Sequence, residues 1–317
     1  MQVQPSKALS STVAAPASPH AEAVRRPALA LFGKGRETNW SFYGALAILL
    51  LLTGLLYQSV AAKLVTDWYE LPDFSHGFLI PFFAAYLIWT KRTELMRVPV
   101  ASSWVGLPLV LLGLLLLMTG RFGADLFLSR VSFIVLAAGT IWMLFGRQML
   151  SELKFVLLVL VLAIPLPAVV FNQITFPLQL LASRMASLLL PFAGVPVLRE
   201  GNVIQLPAMQ LEVAEACSGI RSLLSLFTLA VIYGYFLEKS TGRRIVLALA
   251  SVPIAVAANV ARIFGTGLCV QYWDPDKAMG FFHEFSGWLM FLVSLCFLYL
   301  VHKITGMLWA GRREAVS

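Results

Sequence analysis

Residues 40–62 read WSFYGALAILLLLTGLLYQSVAA, a run without a single charge. A helix rising 1.5 Å per residue needs about 20 such residues to cross a hydrocarbon core about 30 Å thick. The run exceeds the apolar core of a cleaved signal peptide, about 7–15 residues, so it is predicted to span a membrane and stay there. Similar runs recur at about 76–90, 104–120, 126–145, 153–170, 218–237, 245–267 and 285–305, which makes about eight spans. The whole chain agrees: of 317 residues 59% are hydrophobic and 13% charged, with a mean hydropathy of +0.81. That excludes a soluble globular protein. The reading is an all-α integral membrane protein, with a disordered Ser/Ala/Pro-rich cytoplasmic tail at 1–38, a polytopic domain at 39–306 and a basic cytoplasmic tail at 307–317.

The chain carries a net charge of +8, which in a soluble protein would suggest nucleic acid. Placement gives another cause. With eight spans and the N-terminal tail inside, 16 of the 24 Lys and Arg residues face the cytoplasm, while most of the 16 acids lie outside. This is the positive-inside pattern of a multi-pass membrane protein, and no nucleic-acid partner is expected. Counting 171–193 as a further span would put the Arg243/Arg244 and Arg312/Arg313 pairs outside. Holding Pro177, Pro191 and a central Arg184, that segment is predicted to lie along the outer interface. It opens an extracytoplasmic insert, 171–217. Alternating Val195, Val197, then Val203, Ile204 and Leu206, around the polar turn 199–202, predict a β-hairpin, with Leu211 and Val213 available for another strand.

Ionisable groups at the ends of spans are costly, and each needs a reason. Cys217 directly precedes the run 218–237, where free N–H groups and the positive helix dipole favour a thiolate and can hold an oxyanion. Packing, or a disulfide with Cys269, are the competing roles. Arg221 follows on the same helical face, unless it only snorkels to headgroups. A span entering near Ile245 would carry Arg262 about 26 Å upward, inside the outer boundary of the core. A guanidinium does not deprotonate, so Arg262 can stabilise a thiolate or oxyanion but cannot be a base. Asn259, one turn below, is placed to orient it. His283 opens the last span, and His76 lies in Asp73-Phe-Ser-His-Gly77; either imidazole could take a proton from a thiol and return it to an amine. Cys296 is expected in the core, and His20 and His302 are expected to be uninvolved. Neither a CxxC nor a His/Cys ladder occurs, so no metal and no cofactor is expected.

A thiol at a helix head, an arginine and one or two histidines on one side of a membrane suggest cysteine acyl transfer. At these residues the chain resembles the exosortase/archaeosortase family over about 40–305. Glu212-Val-Ala-Glu-Ala-Cys217-Ser-Gly-Ile-Arg-Ser222 is close to that family's nucleophile motif, and Asn259-Val-Ala-Arg262 to its arginine motif. His283 with Gly287 matches the third motif, and Asp73-Phe-Ser-His76-Gly resembles the exosortase branch. The resemblance implies a membrane-embedded thiol transpeptidase with Cys217, Arg262 and His283 as its catalytic residues and the active site on the periplasmic side. Its partners would be the bilayer and secreted proteins ending in a Pro-Glu-Pro sorting motif, a membrane helix and a basic tail. His76, Asn259, Arg221 and Arg199 would bind substrate, the two arginines offering cations to the motif's acid. Other classes remain open from the residues alone: a transporter, a serine protease using Ser218, or a non-catalytic component of an exopolysaccharide export system.

Overall fold

Where no water reaches the backbone, a chain must satisfy its own N–H and C=O groups, and long apolar runs do so as helices. In the computed structural model, residues 40–213, 220–273 and 281–314 are described, without the side chains of 220, 281–284 and 310–314. The helices are α1 (Trp40–Glu70), α2 (Leu79–Leu95), α3 (Leu107–Phe122), α4 (Leu126–Phe145), α5 (Arg147–Val161), α6 (Ala168–Leu189), α7 (Ile220–Leu237), α8 (Thr241–Tyr272) and α9 (Phe281–Glu314). A 3₁₀ turn, Pro72–Phe78, joins α1 to α2. The end of the bundle holding this turn is called the upper end, and the end holding the α7–α8 turn the lower.

Local sequence explains the close packings and the breaks. Gly113 on α3 and Gly139 on α4 let two backbones touch, since a Cβ on either would come within 2.8 Å of a backbone nitrogen, Leu136 N or Val110 N. Small residues are how helices approach in an apolar solvent that does not itself drive them together. Asp125 starts α4 by accepting from Phe127 N and Leu128 N at 2.8 and 3.0 Å. Gly146, at φ +95°, turns the chain from α4 into α5.

By length and composition six helices can cross a membrane: Trp40–Glu70, Trp104–Phe122, Leu126–Phe145, Ala168–Ala193, Thr241–Tyr272 and Phe285–Trp309. The expected eight are therefore met only in part. α2, with 17 residues, and α5, with 15, fall short, as does α7 in its described part. The helix from Ala168 contains the segment assigned to the outer interface, and it is long and apolar enough to span. Both of its ends nonetheless meet the upper end of the bundle. Phe171 packs on Phe74 of the 3₁₀ turn, ring centres 5.4 Å apart, while Leu190 packs on Gly267 near the top of α8 and Tyr272 donates to the Ala193 carbonyl at 2.7 Å.

The predicted hairpin is present as β1 (Leu198–Glu200) and β2 (Val203–Gln205), and β3 (Gln210–Glu212) extends it to three antiparallel strands. Gly201, at φ +65°, makes the turn. Ile204, Leu211 and Val213 are fully buried against Ala182 and Ala186 of α6 and Ile263 and Val270 of α8. One expectation fails outright: Cys296 is exposed. It lies two residues from both Ser294 and Leu298, which face the bundle, and two residues is about 200° around a helix. The predicted tail 1–38 lies outside the described residues, and α9 runs on into 307–317 as far as Glu314.

Candidate active site

The three C-terminal helices set the vertical scale. α7 descends, α8 ascends and α9 descends, and Gly234 faces the Arg244 backbone near the bottom, a Cβ there standing 3.5 Å from Arg244 Cα. Counting up the antiparallel pair from that contact brings Asn259 level with the described start of α7 and Arg262 about one turn higher. Arg262 is thus at the upper end. Its Nε lies 3.3 Å from Ser286 Oγ on α9. Gly287 leaves the space its guanidinium fills, for a Cβ there would sit 3.5 Å from Cζ and Nη2.

These contacts fix which face of α9 looks at Arg262. Ser286 and Gly287 lie three and four residues beyond His283, so His283 sits on the same face of that helix, in its first turn. The His283 side chain is outside the described set, and Cys217 falls in the segment 214–219, also outside it. Ser218 and Gly219, the first residues of the run whose N–H groups were expected to hold an oxyanion, share that segment.

A second group meets the described start of α7. The 3₁₀ turn packs against α7, and Asp73 Oδ1 stands 4.0 Å from Nε of Arg221 in the first described turn of that helix. Burial raises the Asp73 carboxyl above the usual carboxylate range, and the Arg221 charge opposes the rise. His76 is half-buried, three residues on. Burial pulls its pKa below the ordinary value against the opposing pull of the Leu162 and Asp73 backbone, and Nδ1 has no aligned hydrogen-bond partner. Burial thus favours the neutral imidazole, the form able to accept a proton. α7 is therefore the element common to both groups.

One expectation is not met. Asn259 does not use its side-chain oxygen to orient Arg262: Oδ1 is buried without a hydrogen-bond partner, and the guanidinium reaches across to Ser286 instead. Arg199 lies exposed on β1 and donates to the Gly201 carbonyl of its own hairpin at 2.6 Å. Cys269 packs against the cluster formed by the sheet, α6 and α8.

The structure also adds residues that the sequence reading left aside. Asp67 and Arg130, both inside apolar helices, form a buried pair at 2.5 Å, with Lys63 at 2.9 Å from the other carboxylate oxygen. They line a cavity of about 590 Å³ at the upper end, walled also by Asp73, Phe74, Pro165, Pro167 and Phe171. Two opposite charges in apolar runs were the available signal, but nothing local pairs positions so far apart in the chain.

Comparison with known families completes the picture. A family model described as transmembrane exosortase matches residues 68–300. The chain belongs to the transmembrane exosortase family. Neither curated proteins nor solved structures gave a match. Membership supports a multi-pass, membrane-embedded sorting transpeptidase at the level of the family, acting on membrane substrates that carry sorting signals.

Proposed function

We propose that this exosortase is a cysteine transpeptidase that cleaves the C-terminal sorting signal of PEP-CTERM-like secreted proteins, with its upper end on the periplasmic side of a bacterial inner membrane. The observation that carries the reading is the meeting of Arg262 with Ser286 and Gly287, because it brings the arginine motif of α8 and the histidine motif of α9 to one level beside the head of α7.

His283 takes the proton of the Cys217 thiol, aided by the positive end of the α7 dipole. The thiolate attacks the scissile carbonyl, forming a C–S bond as the C=O electrons move onto oxygen, and Arg262 stabilises that oxyanion. The intermediate collapses, the C–N bond breaks, and His283 returns the proton to the leaving amine. A nucleophile then attacks the thioester and gives up its proton, restoring the thiol. The cavity beside Asp73 gives an extended segment room at the mouth of the site, Arg221 meets its acidic residue, and Asn259 Oδ1 is an acceptor ready for a substrate N–H.

Co-expression with a secreted protein from the same genome bearing the tripartite tail tests this. Wild type should shorten the substrate and Cys217→Ala should not, with equal amounts of enzyme in the membrane. Processing that survives Cys217→Ala would refute the reading.

A further inference from the structure

The lower ends of α7, α8 and α9 hold a polar cluster that the chemistry above does not use. Glu238 directly follows α7, and its side chain is only 2% exposed. Oε1 stands 2.5 Å from Arg243 Nη2 on α8 and 3.0 Å from His302 Nδ1 on α9. Neither contact is aligned as a hydrogen bond, so proximity of charge and dipole holds the group together. Gly306, one turn beyond His302, makes the notch that admits Arg243, since a Cβ there would come within 3.1 Å of Nη2. Arg244 adds bonds to the Glu238 and Tyr235 carbonyls at 2.8 and 3.2 Å. The Tyr235 ring in turn stacks on Phe155 of α5, centres 3.6 Å apart, with Lys91 of α2 above it at 5.9 Å. Four helices thus grip the last turn of α7.

Higher up, α7 offers its neighbours Leu223, Leu226 and Ala230. Contacts of that kind do not choose a register in lipid, because sliding by a turn of about 5.4 Å exchanges one aliphatic contact for another. A buried carboxylate does choose, since slippage would strand it without a partner. We infer that Glu238, with Arg243 and His302, is a positioning cluster that fixes the axial register of α7 against α8 and α9. In that way it sets the height of the described start of α7, the helix that follows Cys217 in the sequence, relative to Arg262 of α8 and the first turn of α9. The inference rests on the upper end being the active site, and α7 carries the setting upward as a rod about 26 Å long.

The test needs one readout that is independent of catalysis. In protein freed of its three native cysteines, Asp73→Cys with Arg221→Cys should be bridged by a short bis-thiol reagent, and Glu238→Gln should lower the bridged fraction in an undiminished amount of membrane protein. In the native-cysteine enzyme, Glu238→Gln should lower kcat about 100-fold with KM little changed, as expected for a small misplacement of reacting groups. Glu238→Asp should recover part of both. If Glu238→Gln fails to accumulate, His302→Ala, which leaves the Arg243 pair in place, takes its position with the same expectations. Unchanged bridging together with unchanged kcat per folded molecule would overturn the inference. So would a loss of activity that only follows the loss of protein. Altered bridging in an enzyme whose wild type processes no substrate would leave the register cluster standing and count against the proposed activity.

Discussion

At the lower end of α7 opposite charges stand close: Glu238 is 2.5 Å from Arg243, and nearby Lys91 is 3.0 Å from Glu152. At its upper end Arg221 and Asp73 stand 4.0 Å apart. Both ends hold buried polar atoms without hydrogen-bond partners, Glu238 Oε1 and His302 Nδ1 below, Asn259 Oδ1 and His76 Nδ1 above, so such atoms by themselves do not mark a reacting site. The contrast is between an end held by close ion pairs and the end proposed to react, where the pair at the head of α7 is open.

The largest expected effect breaks the contrast at its reacting end. His283→Ala should lower kcat/KM by about 100- to 10,000-fold and flatten its acid limb, because general acid–base help is lost. His76→Ala should keep that limb. Burial depresses the His76 pKa, so below the ordinary value of about 6.5 the unfolded chain takes up a proton that the folded protein resists, and stability falls as the pH drops from there. Thermal unfolding in detergent should show this decline in wild type and a weaker one in His76→Gln. A lost acid limb in His76→Ala and a retained one in His283→Ala would exchange the two roles.

The next prediction asks whether every ion pair at the upper end belongs to the site. The Asp67–Arg130 pair is closed, like the lower cluster. Arg130→Met leaves Asp67 with Lys63 as its one partner among these pairs and should destabilise the protein by about 1–3 kcal/mol, and adding Asp67→Leu should recover much of the loss. Thermal unfolding of the three proteins measures it. If the double variant is as unstable as the single one, the pair does more than balance its own charges.

Arg262 should be sensitive to shape as well as charge. Arg262→Ala is expected to cost about 100- to 1000-fold in kcat, the usual range for losing an oxyanion donor. Arg262→Lys should retain an intermediate rate, since a cation remains without the planar fork that spans Ser286 and Gly287. Equal rates for Lys and Ala would show that geometry alone matters there.

Much of this arrangement was legible in the sequence because it follows from local pattern. Uncharged runs announced the helices, alternation around Arg199 and Gly201 announced the hairpin, and Arg262 stood out as a charge where hydrocarbon should be. Partnership was not legible. Arg262 was given to Asn259, its neighbour along the same helix, whereas the structure joins it to Ser286 on another. Glu238 and His302 read as ordinary residues of a basic inner face, yet the end of α7 and the side of α9 bring them within 3.0 Å. Cys296 shows the same limit, because hydrophobicity says that a residue is in the membrane layer but not whether it faces protein or lipid.

The smallest effect resolves how Arg262 is held. Its bond to Ser286 Oγ is long, at 3.3 Å, so the net contribution is taken near the common value of about 1 kcal/mol, or about fivefold in rate. Ser286→Ala should therefore lower kcat about fivefold with KM unchanged. Ser294→Ala, two turns down the same helix and bonded only to its own Met290 carbonyl among the described contacts, should leave the rate alone. Gly287 supplies the steric counterpart. A Cβ at 3.5 Å from the guanidinium is an ordinary contact, so Gly287→Ala should be nearly silent, whereas Gly287→Leu must displace the guanidinium and should approach the defect of Arg262→Ala. If Gly287→Leu is as active as wild type, α9 does not confine Arg262 at this point, and the histidine and arginine motifs act without the contact that joins their helices.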